Sequence, residues 1–273
     1  MEGKEAQLAE ERERGAAADF FSDMWALYLR TMRTNLRMPI WIVLNLFQPL
    51  LWLVMFSQLF QGIASLPGFP AGNYLQYFAP GVIAMTVLFG SAWSGMSLIY
   101  EWRSGVMDKM LATPCSRLAL LLGRVLFHVT SAVVQGLIIL LIALLSGAQL
   151  TGGVFGFLLI VYLVSVLGIS FAAISFGLAT RLKSEDPMVA TLNFILMPLV
   201  FMSSAMMPAE LAAPWLGYVM PLNPVNWAIA PIRSVMNEGW VATWSSWPYL
   251  LALTCFAAVT LFWASRSFVK VVE

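Results

Sequence analysis

Two long tracts of this sequence, 38–100 and 125–180, contain no Asp, Glu, Lys or Arg, and only His128 in the second could carry a charge. Of the 273 residues, 60% are hydrophobic and 11% charged, against about 25% charged in a soluble domain. A single soluble core of this size cannot bury so much apolar surface. A bilayer is the natural solvent for it, and a spanning helix needs about 20 apolar residues. The tracts and their punctuation predict spans at 40–60, 77–100, 125–147, 154–180, 188–207 and 248–265. Pro49 and Pro198 fall inside the first and fifth of these and mark expected kinks. The expected fold is therefore an all-α membrane protein with six transmembrane helices.

The segments around the spans differ in character. Residues 1–19 are rich in Glu, Arg and Ala and read as a polar tail, disordered or loosely helical. The charged start is not that of a secretory signal peptide, so the first span is expected to direct insertion. Across 20–39, Phe21, Met24, Trp25, Tyr28, Met32 and Leu36 recur every three or four residues, with Arg30, Arg33 and Arg37 between them. That spacing predicts an amphipathic helix lying in the headgroup layer. A short soluble helix packed on a partner would show the same pattern, but the span that follows at once favours the surface helix. Residues 208–247 are too polar and too punctuated by Pro208, Pro214, Pro221 and Pro224 to be one span. Two short helices that dip toward the membrane, within 209–220 and 223–239, fit better, because irregular backbone at membrane depth needs protein or water to satisfy it. A plain external loop is the alternative. Trp240, Trp244 and Trp247 suit the interface beside them.

Orientation follows from the cations. Six Lys and Arg precede Pro39, four lie in 101–124, two in 181–187 and two after Ser265, which leaves only Arg233 on the other side. The excess of cations inside the cell places both termini, the 101–124 island and the 181–187 turn in the cytoplasm, with 266–273 as a short tail. An even number of spans agrees with this.

Several classes of function are excluded or disfavoured. No acidic or basic residue lies inside an expected span, whereas proton-driven carriers place relays there. His128 alone could serve, and a single histidine near the membrane edge is more often a hydrogen-bonding residue. No G-x-x-x-x-G-K-[ST] phosphate loop occurs, nor a G-x-S-x-G elbow. Cys115 and Cys255 make neither a disulfide framework nor a metal cluster. A net charge of +1 gives no grip on nucleic acid. The chain thus reads as no enzyme, holding no metal and no cofactor. If it moves a solute uphill, the energy enters through a partner.

The island between the two uncharged tracts is where a partner would act. Glu101, Trp102 and Arg103 continue from the second span, and Gly105 is placed to end or bend that helix. A short charged and apolar segment with Asp108 and Lys109 follows. Pro114 closes it, and Ser116 is placed to cap a helix beginning at Arg117. Such a helix–break–helix beneath the membrane suits a lever; a solvated loop with ordinary caps would carry the same residues.

The run E-W-R-S-G-V-M-D-K-M-L-A-T-P-C-S-R at 101–117 resembles the cytoplasmic signature of ABC-2-type membrane subunits. The run P-L-N-P-V-N-W-A-I-A-P-I-R at 221–233 is similar to that family's segment before its last span. Cys115 departs from the aliphatic residue usual at its position. G-V-M-D-K is most similar to the daunorubicin-resistance branch of drug-efflux permeases; polysaccharide and lipid exporters share the architecture. The resemblance implies an ATP-driven exporter of a hydrophobic or amphipathic molecule, with alternatives in a lipid-linked glycan exporter or a non-transporting membrane anchor. It implies a pair of membrane subunits, this chain with a copy of itself or a related permease, in the bacterial inner membrane. It implies two cytoplasmic ATPase subunits that bind ATP and Mg. It assigns coupling to Glu101, Arg103, Gly105, Asp108, Lys109, Pro114, Ser116 and Arg117. It assigns an outer gate to Pro208, Glu210, Pro221, Asn223, Pro224 and Arg233.

Overall fold

The computed structural model describes residues 2–37, 39–65, 69, 73–112 and 115–272. Pro67, Gly68, Pro70 and Gly72, between the first and second expected spans, and Pro114 of the island, lie outside the described residues. The described residues form helices and connecting turns, with no strand among them. The helices are α1 (Glu2–Leu36), α2 (Pro39–Leu59), α3 (Tyr74–Ala92), α4 (Met96–Arg103), α5 (Val106–Leu111) and α6 (Arg117–Leu145). They continue as α7 (Gly153–Leu182), α8 (Glu185–Phe201), α9 (Pro214–Val219), α10 (Pro224–Asn237) and α11 (Trp247–Val272).

Four helical segments among the described residues are long and apolar enough to cross a membrane: Tyr74–Arg103, Arg117–Leu145, Gly153–Leu182 and Thr243–Lys270. They contain the expected second, fourth and sixth spans and run past them, and the expected third span begins eight residues earlier, at Arg117, and ends at Leu145, so that charges fall in their end turns. The expected first span is the 21-residue α2 with Pro49 inside it. The expected fifth span is helical only as α8, which has 17 residues and stops at Phe201; residues 202–207 continue as turns.

α3 is the axis of the packing. Phe78, Ala79, Val82, Ile83, Ala84, Val87 and Leu88 are fully buried on it, and α6, α7, α2 and α10 surround it. A helix apolar on every face and buried on most of them suits the centre of a bundle. α11 lies along α7, and α1 packs on α6. The outer surface is apolar as well. On α2, Val43, Phe47, Val54 and Met55 are exposed, as are Phe194 and Phe201 on α8 and Val259 and Phe262 on α11. In water such a surface would be an aggregation liability; against acyl chains it is the ordinary state.

The second expected span is broken in its middle. Between α3 and α4 the backbone turns at 93–95, and Ser175 of α7 fills the gap. The Gly95 N–H donates to Ser175 Oγ at 2.8 Å, and that hydroxyl donates to the Ala92 carbonyl. A Cβ on Gly95 would stand 2.4 Å from the Ser175 carbonyl oxygen, so glycine is required for this approach. A side chain inserted into the backbone ladder is a recognised cause of a helix break.

Candidate functional site

One end of the bundle gathers the charges. α4 ends with Glu101, Trp102 and Arg103, and Gly105 follows at φ +67°. That left-handed conformation is open to glycine at little cost, and it turns the chain sharply into α5. On α5, Met107 is buried while Asp108 and Lys109 are exposed. From the second turn of α6, Arg124 reaches back and donates to the Glu101 carboxylate. Its guanidinium also lies 3.8 Å from the Met107 sulfur and 3.5 Å from that of Met110. The Arg124 side chain is only 4% exposed, against 33% for Glu101, so a buried cation is matched by a half-buried anion. The pair ties α4, α5 and α6 into one block.

A second pair, Arg103 with Glu185, joins this block to the start of α8 and is more exposed. Lys183 lies 5.2 Å over the Trp102 ring. Among the expected coupling residues, Glu101, Arg103, Gly105, Asp108 and Lys109 therefore come together. Ser116 stands at the N-cap of α6, but its hydroxyl makes no capping hydrogen bond; the first turn is closed through its carbonyl, which accepts from Leu120 N. Arg117 opens α6, partly buried. Sequence reasoning did not single out Arg124 or Glu185. Arg124 left a signal: it is the last charge before an uncharged tract, where a cation must find an anion or water.

The opposite end is held by neutral groups around one cation. α8 stops at Phe201 and leaves carbonyls of 199–206 without helical partners. Asn223 Nδ2 donates to the Leu199 and Met202 carbonyls at 2.7 and 3.1 Å. The Asn223 side-chain oxygen caps α10 by accepting from Val225 N at 2.9 Å, and Pro224 sits at the first helical position. Tyr74 and Tyr77, one turn apart at the start of α3, donate to the carbonyls of Met206 and Ser204, each at 2.8 Å. Arg233 donates to the Ser204 carbonyl at 2.6 Å, the Ser204 hydroxyl at 3.0 Å and the Tyr77 carbonyl at 3.3 Å. Its guanidinium also lies 3.8 Å over the Tyr77 ring. Burial lowers the Arg233 pKa from its ordinary value, and Tyr77 and Glu210 oppose that shift.

Of the expected gate residues, Asn223 and Arg233 thus meet the same turn, and Pro224 opens the helix that carries Arg233. Pro208 is buried beside it and Glu210 is exposed; the Pro221 carbonyl accepts from the Trp227 indole at 2.6 Å. Tyr74, Tyr77, Ser204 and Asn226 were not foreseen. Nearby, Gln76 closes the same end by bonding Gln149 O at 3.0 Å and Asn237 Oδ1 at 2.8 Å.

Residues 22–237 match the ABC-2 type transporter family. The chain belongs to that family. It is 29% identical over 251 residues to the transport permease ycf38 of Cyanophora paradoxa, covering 91% of this chain and 84% of that one. It is 28% identical over 225 residues to the daunorubicin resistance ABC transporter permease protein DrrB1 of Streptomyces coeruleorubidus, covering 82% and 78%. Membrane subunits of the ABC-2 family are multi-pass transport components, and they work with an ABC ATPase that is a separate subunit.

Two cavities enter the core of this ABC-2 permease. One of about 300 Å³ lies between α1, α2, the α3–α4 break and α6, and is lined by Tyr28, Asn45, Trp93, Ser94, His128 and Gln135 among others. The other, of about 430 Å³, lies between α2, α3 and α8, with Gln48, Trp52, Thr86 and Asn193 in its wall. They share Asn45, Gly90, Trp93 and Gln135, and no Asp, Glu, Lys or Arg lines either. The Ser94 hydroxyl is buried without a hydrogen-bond partner. His128 is packed against Phe127 and Phe176, with ring centroids 5.2 and 5.6 Å away.

Proposed function

We propose that this chain is the membrane subunit of an ATP-driven exporter that moves a hydrophobic or amphipathic molecule out of the cell. The observation that carries the reading is the block of α4, α5 and α6. Arg124 and Glu101 make it stiff, while Asp108 and Lys109 on α5 remain free for a partner to grip. Force applied to α5 passes directly into the long helices of the core. The charged residues at this end, with both termini in the cytoplasm, fit the positive-inside rule. On this reading α2 and α8 complete six spans and α1 lies in the headgroup layer at the same junction. The segment from Pro208 to Asn237 forms the outer gate.

ATP and Mg are then held by the ATPase partner, in two copies, and two permease chains enclose the path. The largely apolar cavities, with scattered amide, hydroxyl and indole groups, favour a hydrophobic or amphipathic substrate. The daunorubicin-resistance relative agrees with a drug-like cargo. Gentle purification from native bacterial inner membranes tests the partnership: a stoichiometric subunit with a phosphate-binding loop is expected. In that reconstituted complex, Asp108→Arg should abolish transport-linked ATP turnover while the thermal midpoint of the permease stays unchanged. Normal turnover in the variant would remove α5 as the lever.

A further inference from the structure

At the charged end, the last turns of α7 and α11 leave a groove of about 530 Å³ that neither the coupling block nor the outer network uses. Its walls change character along α11. Val259, Phe262, Arg266 and Lys270 are spaced by three, four and four residues and so share one face. Val259 and Phe262 are 65% and 60% exposed, apolar surface that belongs against hydrocarbon. Val259 and Phe262 fall within the expected last span and Arg266 and Lys270 just past its end at 265, so the face passes from hydrocarbon to headgroup level.

The cations are arranged and unspent. Arg181 of α7 lies 4.8 Å over the Trp263 ring and donates weakly to Ser267 Oγ at 3.4 Å. Arg266 lies 4.6 Å over the Phe262 ring. Stacking holds the guanidinium faces and leaves edge N–H donors for an anion. Among the described residues, the carboxylate pairs at this end are Glu101 with Arg124 and Glu185 with Arg103. Among the described residues no carboxylate pairs with Arg181, Arg266 or Lys270. The floor is fixed by Gly177, where a Cβ would stand 2.1 Å from the Trp263 ring.

We propose that this groove binds an anionic phospholipid, with its phosphate among Arg181, Arg266 and Lys270 and an acyl chain along Val259, Phe262 and Trp263. The chemistry recognised is a phosphodiester monoanion joined to hydrocarbon. The lipid would wedge the last span against α7 at the level where the permease meets its energy source.

Native mass spectrometry of the full chain in detergent, with dioleoyl-phosphatidylglycerol or dioleoyl-phosphatidylcholine added, tests this. Preferential retention of phosphatidylglycerol is expected. Arg266→Gln and Lys270→Gln should each weaken it about fivefold, while Arg103→Gln, at a cation outside the groove, should not. Equal retention of the two lipids, or equal loss in Arg103→Gln, overturns the proposal. Glycerol 3-phosphate competing as well as the lipid would assign the groove to a soluble phosphate instead. Unchanged lipid retention with loss of the co-purifying ATPase in the Arg266→Gln/Lys270→Gln variant would make it a protein contact. These outcomes do not depend on the export reading, because the lipid assay needs neither substrate nor ATP.

Discussion

Arg124 and Arg233 pose the same problem at opposite ends of the bundle, and the protein solves it in two ways. Arg124 is deeply buried and faces a carboxylate. Arg233 is half-buried and faces carbonyls, a hydroxyl and the face of a tyrosine. An ion pair concentrates its energy in one contact and fails if either partner goes. A guanidinium spread over neutral acceptors shares the load, and the acceptors also serve to finish a helix that stops early. The first arrangement belongs to an end that leaves Asp108 and Lys109 exposed. The second belongs to an end where the carbonyls of Leu199, Met202, Ser204 and Met206 find donors within the chain.

The largest expected effect comes from breaking the ion pair at its anion. Glu101→Ala leaves Arg124 with only methionine sulfurs at its buried guanidinium, and a buried charge without its partner costs about 3 kcal/mol. Because Glu101 is a third exposed, water entry should hold the loss near that figure. The expected result is a clear drop in thermal midpoint in detergent, together with weaker association with the ATPase. A double variant, Glu101→Ala with Arg124→Leu, should recover much of the midpoint, because it removes the stranded charge. Loss of the same size in single and double variants would mean that packing, not charge, holds the block.

Arg233→Leu should cost less, about 2 kcal/mol, as hydrogen bonds from a charged donor are lost. Tyr74 and Asn223 still hold the Met206, Leu199 and Met202 carbonyls, so the turn should loosen rather than unfold. Hydrogen exchange is the direct readout: amides of 202–207 should exchange faster while those of α6 do not change. A midpoint loss larger than that of Glu101→Ala would invert the comparison and make the outer network the main clasp.

Much of this was legible in the sequence for physical reasons. Uncharged tracts longer than a bilayer is thick admit few other structures, so the helices at 74–103, 117–145, 153–182 and 243–270 follow closely from where charges are missing. Gly105 announced its turn because a helix continuing into a charged segment had to stop, and glycine is the residue that permits it. The rest depends on residues far apart in sequence. The break at 93–95 needs Ser175, 80 residues away, and no proline or charge marks it. Arg233 stood out as a lone cation, but Ser204 and Tyr77 carry no pattern that names them as its partners. The early end of α8 was hidden because Met202–Met207 is apolar enough to read as helix; it stops there because Asn223, Asn226 and the two tyrosines offer its backbone better partners than the next turn would.

The smallest effect sharpens the contrast within the charged end itself. Arg103 and Glu185 join the block to α8, yet their side chains are 59% and 26% exposed. A pair so open to water is worth less than about 1 kcal/mol. Arg103→Gln should therefore barely move the midpoint, and a double-mutant cycle with Glu185→Gln should return a coupling energy in that range. Salt separates it from the buried pair: from 0.1 to 1 M the screening length falls from about 10 to about 3 Å. The coupling between Arg103 and Glu185 should fade over that interval, while that between Glu101 and Arg124 persists. If both fade together, water reaches the Arg124 pair, and the block under the long helices is softer than a lever requires.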